Sequence, residues 1–363
     1  MNAPNLPEQH LKKNMLRQLG KKSLEDFERQ FRMNFIQESD ISRIALLGLN
    51  CLRVPFHYRI VENAPYRYRS EGIAYLDRVV QWARRYHLWV ILDFHGAPGC
   101  QNHDWHSDSY GKADLWKNKE YQHRSFALWE FVADRYKEEP QIAGYDLLNE
   151  AVLKDTRLLN RFYRQLIKRI RTVDRNHILF IEGNRWGIDM ECLEEFDDDN
   201  HVLSAHSYEP LDFTFNFVPH LPYPLKTKGR IWNKAVIKKL LLRYKIISDR
   251  RSVPIFVGEF GVNYREGVYG EHRWVKDVLG CFKEFGFHWT YWTYKAIKNS
   301  QFPDGLYSYY ENPPWVNRAG PVKGWDTYPV QWNIHRDQMI RSWHTDQFQE
   351  NTHIIQVLRH AAR

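Results

Sequence analysis

Leu147-Leu148-Asn149-Glu150 and Val257-Gly258-Glu259-Phe260-Gly261 decide the reading of this 363-residue chain. In each, an apolar run leads into a glutamate. A buried strand that delivers a carboxylate at its carboxyl end is how a (β/α)₈ barrel builds an active site. Two such glutamates on two different strands match the acid/base and the nucleophile of retaining sugar cleavage.

Outward from these two stretches, short continuous apolar runs alternate with longer amphipathic ones. The runs predict strands at Asn50–Val54, Trp89–Phe94, Ile142–Leu148, His177–Ile181, Val202–Ala205, Ile255–Glu259 and Phe287–Trp292. Continuous apolar character suits parallel strands covered on both faces. Helical patterns fill the intervals at Glu71–Tyr86, Lys119–Lys137, Thr156–Val173, Asn233–Ser248 and Glu271–Glu284. Repeated strand–helix alternation reads as α/β with a parallel sheet. The count is seven strands, whereas a closed barrel of this kind has eight. Residues before Asn50 look helical (Ser23–Met33, Glu38–Leu47), and residues 1–22 are polar with a weak helical pattern. The expected fold is therefore a (β/α)₈ TIM barrel whose first strand is absent from this sequence. With ~250 residues typical of such a barrel, residues 1–363 are expected to form a single domain, closed by a helix over 326–363. The aromatic loop Ser308–Trp315 is expected to pack at the barrel mouth.

Composition agrees with a folded, water-facing protein: 43% hydrophobic and 26% charged residues. The 14 Trp, 21 Tyr and 20 Phe offer flat faces for sugars or for a core. The net charge of +8 is spread through helical segments with no Lys/Arg block, which argues against nucleic acid as a partner. Cys51, Cys100, Cys192 and Cys281 form no CxxC pair, so redox and zinc motifs are absent. No run of ~20 apolar residues suits a membrane span. Met1-Asn2-Ala3-Pro4-Asn5 opens no apolar signal region. A monomer is expected.

In a barrel the strand ends converge on one rim. They carry Arg53, Asp93 and His95, Asn149 and Glu150, His206 and Tyr208, Glu259, and Trp292. Glu259 is the candidate nucleophile, an ionised carboxylate forming a glycosyl ester. Arg53 would stabilise its charge, or else serve as a barrel ion pair. Tyr208 would donate its hydroxyl to the same carboxylate. Glu150 is the candidate acid/base, expected to start neutral with a pKa raised by burial and by Glu259. Asn149 would bind the sugar hydroxyl at carbon two. His95 and His206 would line the pocket, and Trp292 would either form its floor or pack in the core. The i, i+2 spacing of His206 and Tyr208 sets both on one strand face. In the loop at 96–108, Asn102 and Trp105 are candidate sugar contacts. His103, Asp104, His106 and Asp108 there are metal-ligand types without regular ligand spacing, so no metal is expected. Asp93 reads as structural. Asn184 and Trp186 are candidates for a subsite wall or for loop packing.

Taken in order, Leu52-Arg53-Val54-Pro55-Phe56, Asp93-Phe94-His95-Gly96, Leu148-Asn149-Glu150, His206-Ser207-Tyr208 and Gly258-Glu259-Phe260-Gly261 resemble the motifs of glycoside hydrolase family five. The resemblance spans roughly residues 38–325. His95-Gly96-Ala97-Pro98-Gly99-Cys100-Gln101-Asn102 is similar to members acting on β-glucans, exo-acting 1,3-glucanases included. The resemblance implies a retaining hydrolase without metal or organic cofactor, acting on a β-linked oligosaccharide or polysaccharide. It also implies carboxyls ~5–5.5 Å apart. A catalytically impaired sugar-binding barrel, a transglycosylase and a β-mannan-specific hydrolase are the alternatives. Two departures stand out. Ala151 follows the acid/base glutamate where the family usually has proline, and the family's glycine-rich first strand is missing. Family members are often secreted, so the opening segment leaves localisation open.

Overall fold

The computed structural model describes residues 6–227, 229–316 and 323–362. Two helices precede the sheet, α1 (Glu8–Asn34) and α2 (Glu38–Leu46). Within α1, Gly20 has φ 79° and ψ 173°, a region that essentially only glycine enters. The chain turns back there, and Lys12 reaches Glu28 at 2.7 Å. A straight helix would hold those residues ~24 Å apart. The polar segment at the start is thus one arm of a helical hairpin. Leu11, Met15 and Phe27 on its inner faces pack against Trp332, Met339 and Trp343.

Seven parallel strands follow: β1 (Cys51–His57), β2 (Trp89–Gly96), β3 (Ile142–Asp146), β4 (Ile178–Glu182), β5 (His201–His206), β6 (Ile255–Glu259) and β7 (His288–Trp289). They pair in that order, as the apolar runs predict. Between them lie α3 (Ser70–Arg85), α4 (Lys119–Tyr136), α5 (Thr156–Arg171), α6 (Lys234–Arg251) and α7 (Glu271–Phe285). Helix α5 shows why these segments fold as they do. Asp155 caps it by accepting from the Arg157 amide, and Leu159, Phe162, Tyr163, Leu166, Ile167 and Ile170 make one buried stripe. Each such side chain contributes about 1.5–3 kcal/mol on burial. On β4, Leu179 and Ile181 enter the large core under the helices, while Ile178 and Phe180 join Ile91 and Phe256 inside the barrel. That alternation aims Glu182 inward too.

The described strands do not close the barrel's ladder. Among the described residues, β1 pairs only with β2 and β7 only with β6. A cavity of about 710 Å³ separates the two edges, lined by Cys51, Arg53 and Pro55 on one side and Trp289, Tyr291 and Thr293 on the other. No described helix is long and apolar enough to cross a membrane.

Three expectations differ from the structure. The last strand has two ladder residues instead of a run from Phe287 to Trp292. Beyond it the Thr290 and Trp292 amides still donate to Val257 and Phe260 carbonyls, at 3.0 and 2.9 Å, while the chain bends over the barrel rim. This close approach needs Gly261, where a Cβ would stand 2.1 Å from the Trp292 carbonyl oxygen. The aromatic stretch at 308–315 is not a mouth loop at its start. Tyr307–Tyr309 forms β9, between β8 (Lys295–Ile297) and β10 (Gln349–Glu350). Tyr307 and Tyr309 are buried there, and Trp315 packs against the hairpin cluster. The tail is not one closing helix over 326–363. It is α8 (Lys323–Arg341), then β10, then α9 (Thr352–Ala361), because pairing of β10 with β9 interrupts the helix.

Candidate active site

The strand ends meet at the Arg53 guanidinium, which is almost fully buried. Its Nε donates to Asp146 at 2.8 Å, one terminal nitrogen to Glu259 at 2.8 Å, and the other to Asn149 at 2.8 Å and Glu182 at 3.0 Å. Asp93 lies 3.2 Å from the same nitrogen. One permanent cation thus faces four carboxyl groups, and both expected roles of Arg53 coincide. Burial, together with the charge of Glu182, pushes the Asp146 carboxyl well up. Burial also opposes ionisation of Asp93, but the Arg53 charge and the hydrogen-bonded His95 outweigh it and hold that carboxyl down. His95 Nδ1 sits 2.8 Å from Asp93, and its ring stacks on Trp292 with centroids 5.5 Å apart.

Glu259 takes its second hydrogen bond from the Tyr208 hydroxyl at 2.7 Å. Burial and the Glu259 charge keep the proton on that phenol. Asn149 is fully buried, and its Nδ2 has no hydrogen-bond acceptor among the described residues.

Glu150 lies between two imidazoles. Its Oε1 is 2.6 Å from His206 Nδ1, and its Oε2 is 3.4 Å from His106 Nε2. The expectation of a raised pKa is overturned here. Burial does push the carboxyl up, but the His206 hydrogen bond and the charges of His106, His206 and His95 prevail and hold it down at about 2. Burial would lower His206, yet Glu182, Glu259 and the bond to Glu150 raise it well above its usual 6.5. His106 is raised likewise against its burial, through Asp104 and Glu150. Glu150 itself has φ 50°, a left-handed conformation that a glutamate adopts only under restraint. The restraint is visible: its amide donates to Glu182 Oε2 at 2.7 Å and its carbonyl accepts from Asn102 at 2.9 Å.

That bond corrects the expectation for Asn102. The residue is fully buried, with Nδ2 on the Glu150 carbonyl and Oδ1 accepting from the Asp104 amide at 2.9 Å. Both ends of its amide are thus engaged in shaping the loop beside Glu150. Gln101 does similar work, donating to the His95 and Asn149 carbonyls at 2.8 and 3.0 Å. Trp186 is 39% exposed on the rim, and its indole donates to Asp104 at 2.7 Å. Asn184 packs the loop, accepting from the Leu153 amide at 3.1 Å. Trp105, His106, His95 and Trp292 line a cavity of about 530 Å³ that runs under the α1 hairpin toward Lys12 and Phe31.

Among the described residues, Glu150, His206 and Glu259 are the group able to offer a metal three ligand atoms, all within 4.8 Å of one another. The donor set does not suit a cation. Glu259 is already paired with a permanent guanidinium, and His206 is itself drawn toward the protonated state.

Glu182 is the strand-end carboxylate that sequence reading missed, and His106, named there only as a metal-ligand type, lies against Glu150 instead. Glu182 ends the run Ile178–Ile181 just as Glu259 ends its own, so the same rule finds it. His106 gave no such signal, because only the fold of its loop brings it to Glu150.

Three comparisons bear on the geometry. Residues 16–298 match the family model for cellulase (glycosyl hydrolase family 5). A β-xylosidase of Phanerodontia chrysosporium is 31% identical over 294 residues, covering 77% of this chain and 60% of that protein. An endoglucanase C of Acetivibrio thermocellus is 28% identical over 304 residues, covering 75% of this chain and 87% of that one. The endoglucanase Cel5A of Thermotoga maritima superposes with a TM-score of 0.66 at 19% identity, over 89% of this chain and 90% of its own.

Proposed function

The chain belongs to glycosyl hydrolase family 5, and from that premise we propose that it is a retaining β-glycosidase acting on β-glucan-type oligo- or polysaccharides. One observation carries the mechanism. A carboxylate oxygen of Glu150 and one of Glu259 lie within 4.8 Å of each other. Retaining enzymes keep their carboxyls ~5–5.5 Å apart, whereas inverting ones need ~6.5–9.5 Å for an intervening water.

In the first step a Glu259 oxygen attacks the anomeric carbon and forms an ester. The glycosidic oxygen leaves with the electron pair of its bond and takes, through Glu150, the proton that the His206–Glu150 pair shares. In the second step water attacks the same carbon, its proton passes to Glu150, and the ester electrons return to Glu259. Arg53 and Tyr208 orient Glu259 from two sides. The free Nδ2 of Asn149 is the donor for the sugar hydroxyl at carbon two. Trp292, stacked on His95, offers a flat wall to the ring. Proton NMR of the first-formed sugar from an aryl β-glucoside tests the reading. The β-anomer is expected first; an α-anomer would exclude the ester, and no turnover with tight sugar binding would favour the sugar-binding barrel suggested by the open edge.

The paired charges also set a pH window. His206 is raised, so its contribution to stability is full below the unfolded value of 6.5 and is lost as pH climbs through the folded value. Glu150 is lowered, so its contribution is full above 4.5 and fades as pH falls toward about 2. The basic limb of kcat/KM should therefore report proton loss from the His206–Glu150 pair. In His206→Asn that limb is expected to move toward acid, because the proton must then reside on Glu150 alone. Activity at the optimum should fall about 10²-fold. A pH–rate series on both proteins checks this, and an unmoved limb would refute the pairing.

A further inference from the structure

Two carboxylates suffice for double displacement, and Glu182 is neither of them. It is nevertheless fully buried at the end of β4, with both oxygens turned to the acid/base half of the site. Oε2 accepts the Glu150 amide at 2.7 Å. Oε1 lies 3.0 Å from Arg53 and 3.3 Å from His206 Nε2. The other nitrogen of that ring is the one 2.6 Å from Glu150. Resting on the proposed function, we propose that Glu182 is a positioning residue for the acid/base. It holds the Glu150 main chain in place and orients the His206 ring through which the catalytic proton is stored.

Two features separate this role from mere neutralisation of Arg53. Glu150 keeps a left-handed φ that its side chain does not favour, and the Glu182 bond is on its amide. An Arg53 counter-ion would have no reason to make that bond. Further, Glu182, His206 and Glu150 form a carboxylate–imidazole–carboxylate line. His206 Nε2 has no aligned hydrogen bond at 3.3 Å, although the charge contact is close. Such bonds are often long before substrate arrives and tighten in the reacting complex. The ring has little freedom to turn away. Added Cβ atoms at Gly187 and Gly258 would lie 3.2 Å from its Cγ and Nε2, so backbone flanks it.

The chemistry follows from the line. With Glu182 accepting from Nε2–H, the imidazole keeps that proton in both of its charge states, so Nδ1 alone exchanges a proton with Glu150. As the glycosidic bond breaks, the one proton held at Nδ1 passes through the Glu150 carboxylate to the leaving oxygen, which keeps the bonding electrons. When water attacks the ester, Glu150 takes its proton and returns one to Nδ1. The charged groups facing His206 are Glu150 after β3, Glu182 on β4, Glu259 on β6 and Asp93 on β2, with Arg53 between the last three.

The test is Glu182→Gln, assayed on two β-glucosides that differ in leaving group. Cellobiose needs the acid; a dinitrophenyl glucoside leaves without it. A loss of about 10²-fold in kcat/KM is expected for cellobiose, against less than about 10-fold for the dinitrophenyl substrate. The basic limb of the cellobiose profile should move toward acid. Equal losses on both substrates, or a limb that stays in place, would overturn the proposal. If the variant fails to fold, ¹⁵N imidazole NMR of the wild-type protein decides instead. His206 Nε2 is expected to stay protonated across the activity range, and a ring with Nε2 deprotonated would overturn the proposal. Failure of the glycosidase reading looks different: wild-type protein would then turn over neither glucoside.

Discussion

Replacing Glu259 by glutamine is expected to lower kcat/KM on an activated aryl β-glucoside by about 10³-fold or more, with the fold retained. The amide occupies the same space, its one oxygen accepting from Arg53 and its NH2 facing the Tyr208 hydroxyl, but it cannot form a glycosyl ester. Because the first step itself is lost, a better leaving group should not recover the rate. Glu150→Gln is different in kind: a dinitrophenyl glucoside should still load Glu259, and the ester should then accumulate as a burst. Wild-type turnover in Glu259→Gln, with an unchanged melting profile, would end the assignment of Glu259 as nucleophile.

Arg53→Met should have the largest effect on the fold itself. Removing one partner of a buried ion pair costs about 3–5 kcal/mol, because the other charge is left without compensation. Here Asp93, Asp146, Glu182 and Glu259 would all lose the same cation. The loss should appear as a fall in Tm on the order of 10 °C, together with inactivity on every glucoside. Lowering the pH should return part of the stability, since protonated carboxyls no longer need the cation. A Tm within about 1 °C of wild type would show that the four carboxyls are neutralised elsewhere.

Much of this was readable in the sequence, for a physical reason. A parallel strand covered on both faces must be apolar along its length, so seven of them stood out, and their ends named Arg53, His95, Asn149, Glu150, His206, Tyr208, Glu259 and Trp292 together. What was misread depended on tertiary neighbours. The protonation of Glu150 follows from two imidazoles that lie 44 residues before it and 56 after it in the chain. Asn102 looked like a sugar contact because asparagine in a polar loop is usually exposed, yet this loop folds over it and buries it. The turn at Gly20 lay within a segment whose polarity hid the helical hairpin. Glu182 obeys the rule that finds the other strand-end glutamates, but its contacts with Glu150 and His206 exist only in the fold.

The Arg53–Glu259 bond has one more consequence. It joins β1 to β6 across the side of the barrel where no described strand closes the ladder. In a closed barrel, backbone hydrogen bonds form the hoop. Here a side-chain ion pair is one of its fasteners, and on the proposed mechanism it is also the nucleophile. Forming the glycosyl ester removes the negative charge from Glu259 and slackens that fastener. On that mechanism the tie between the two strands is weakest in the intermediate and is restored when hydrolysis frees the carboxylate.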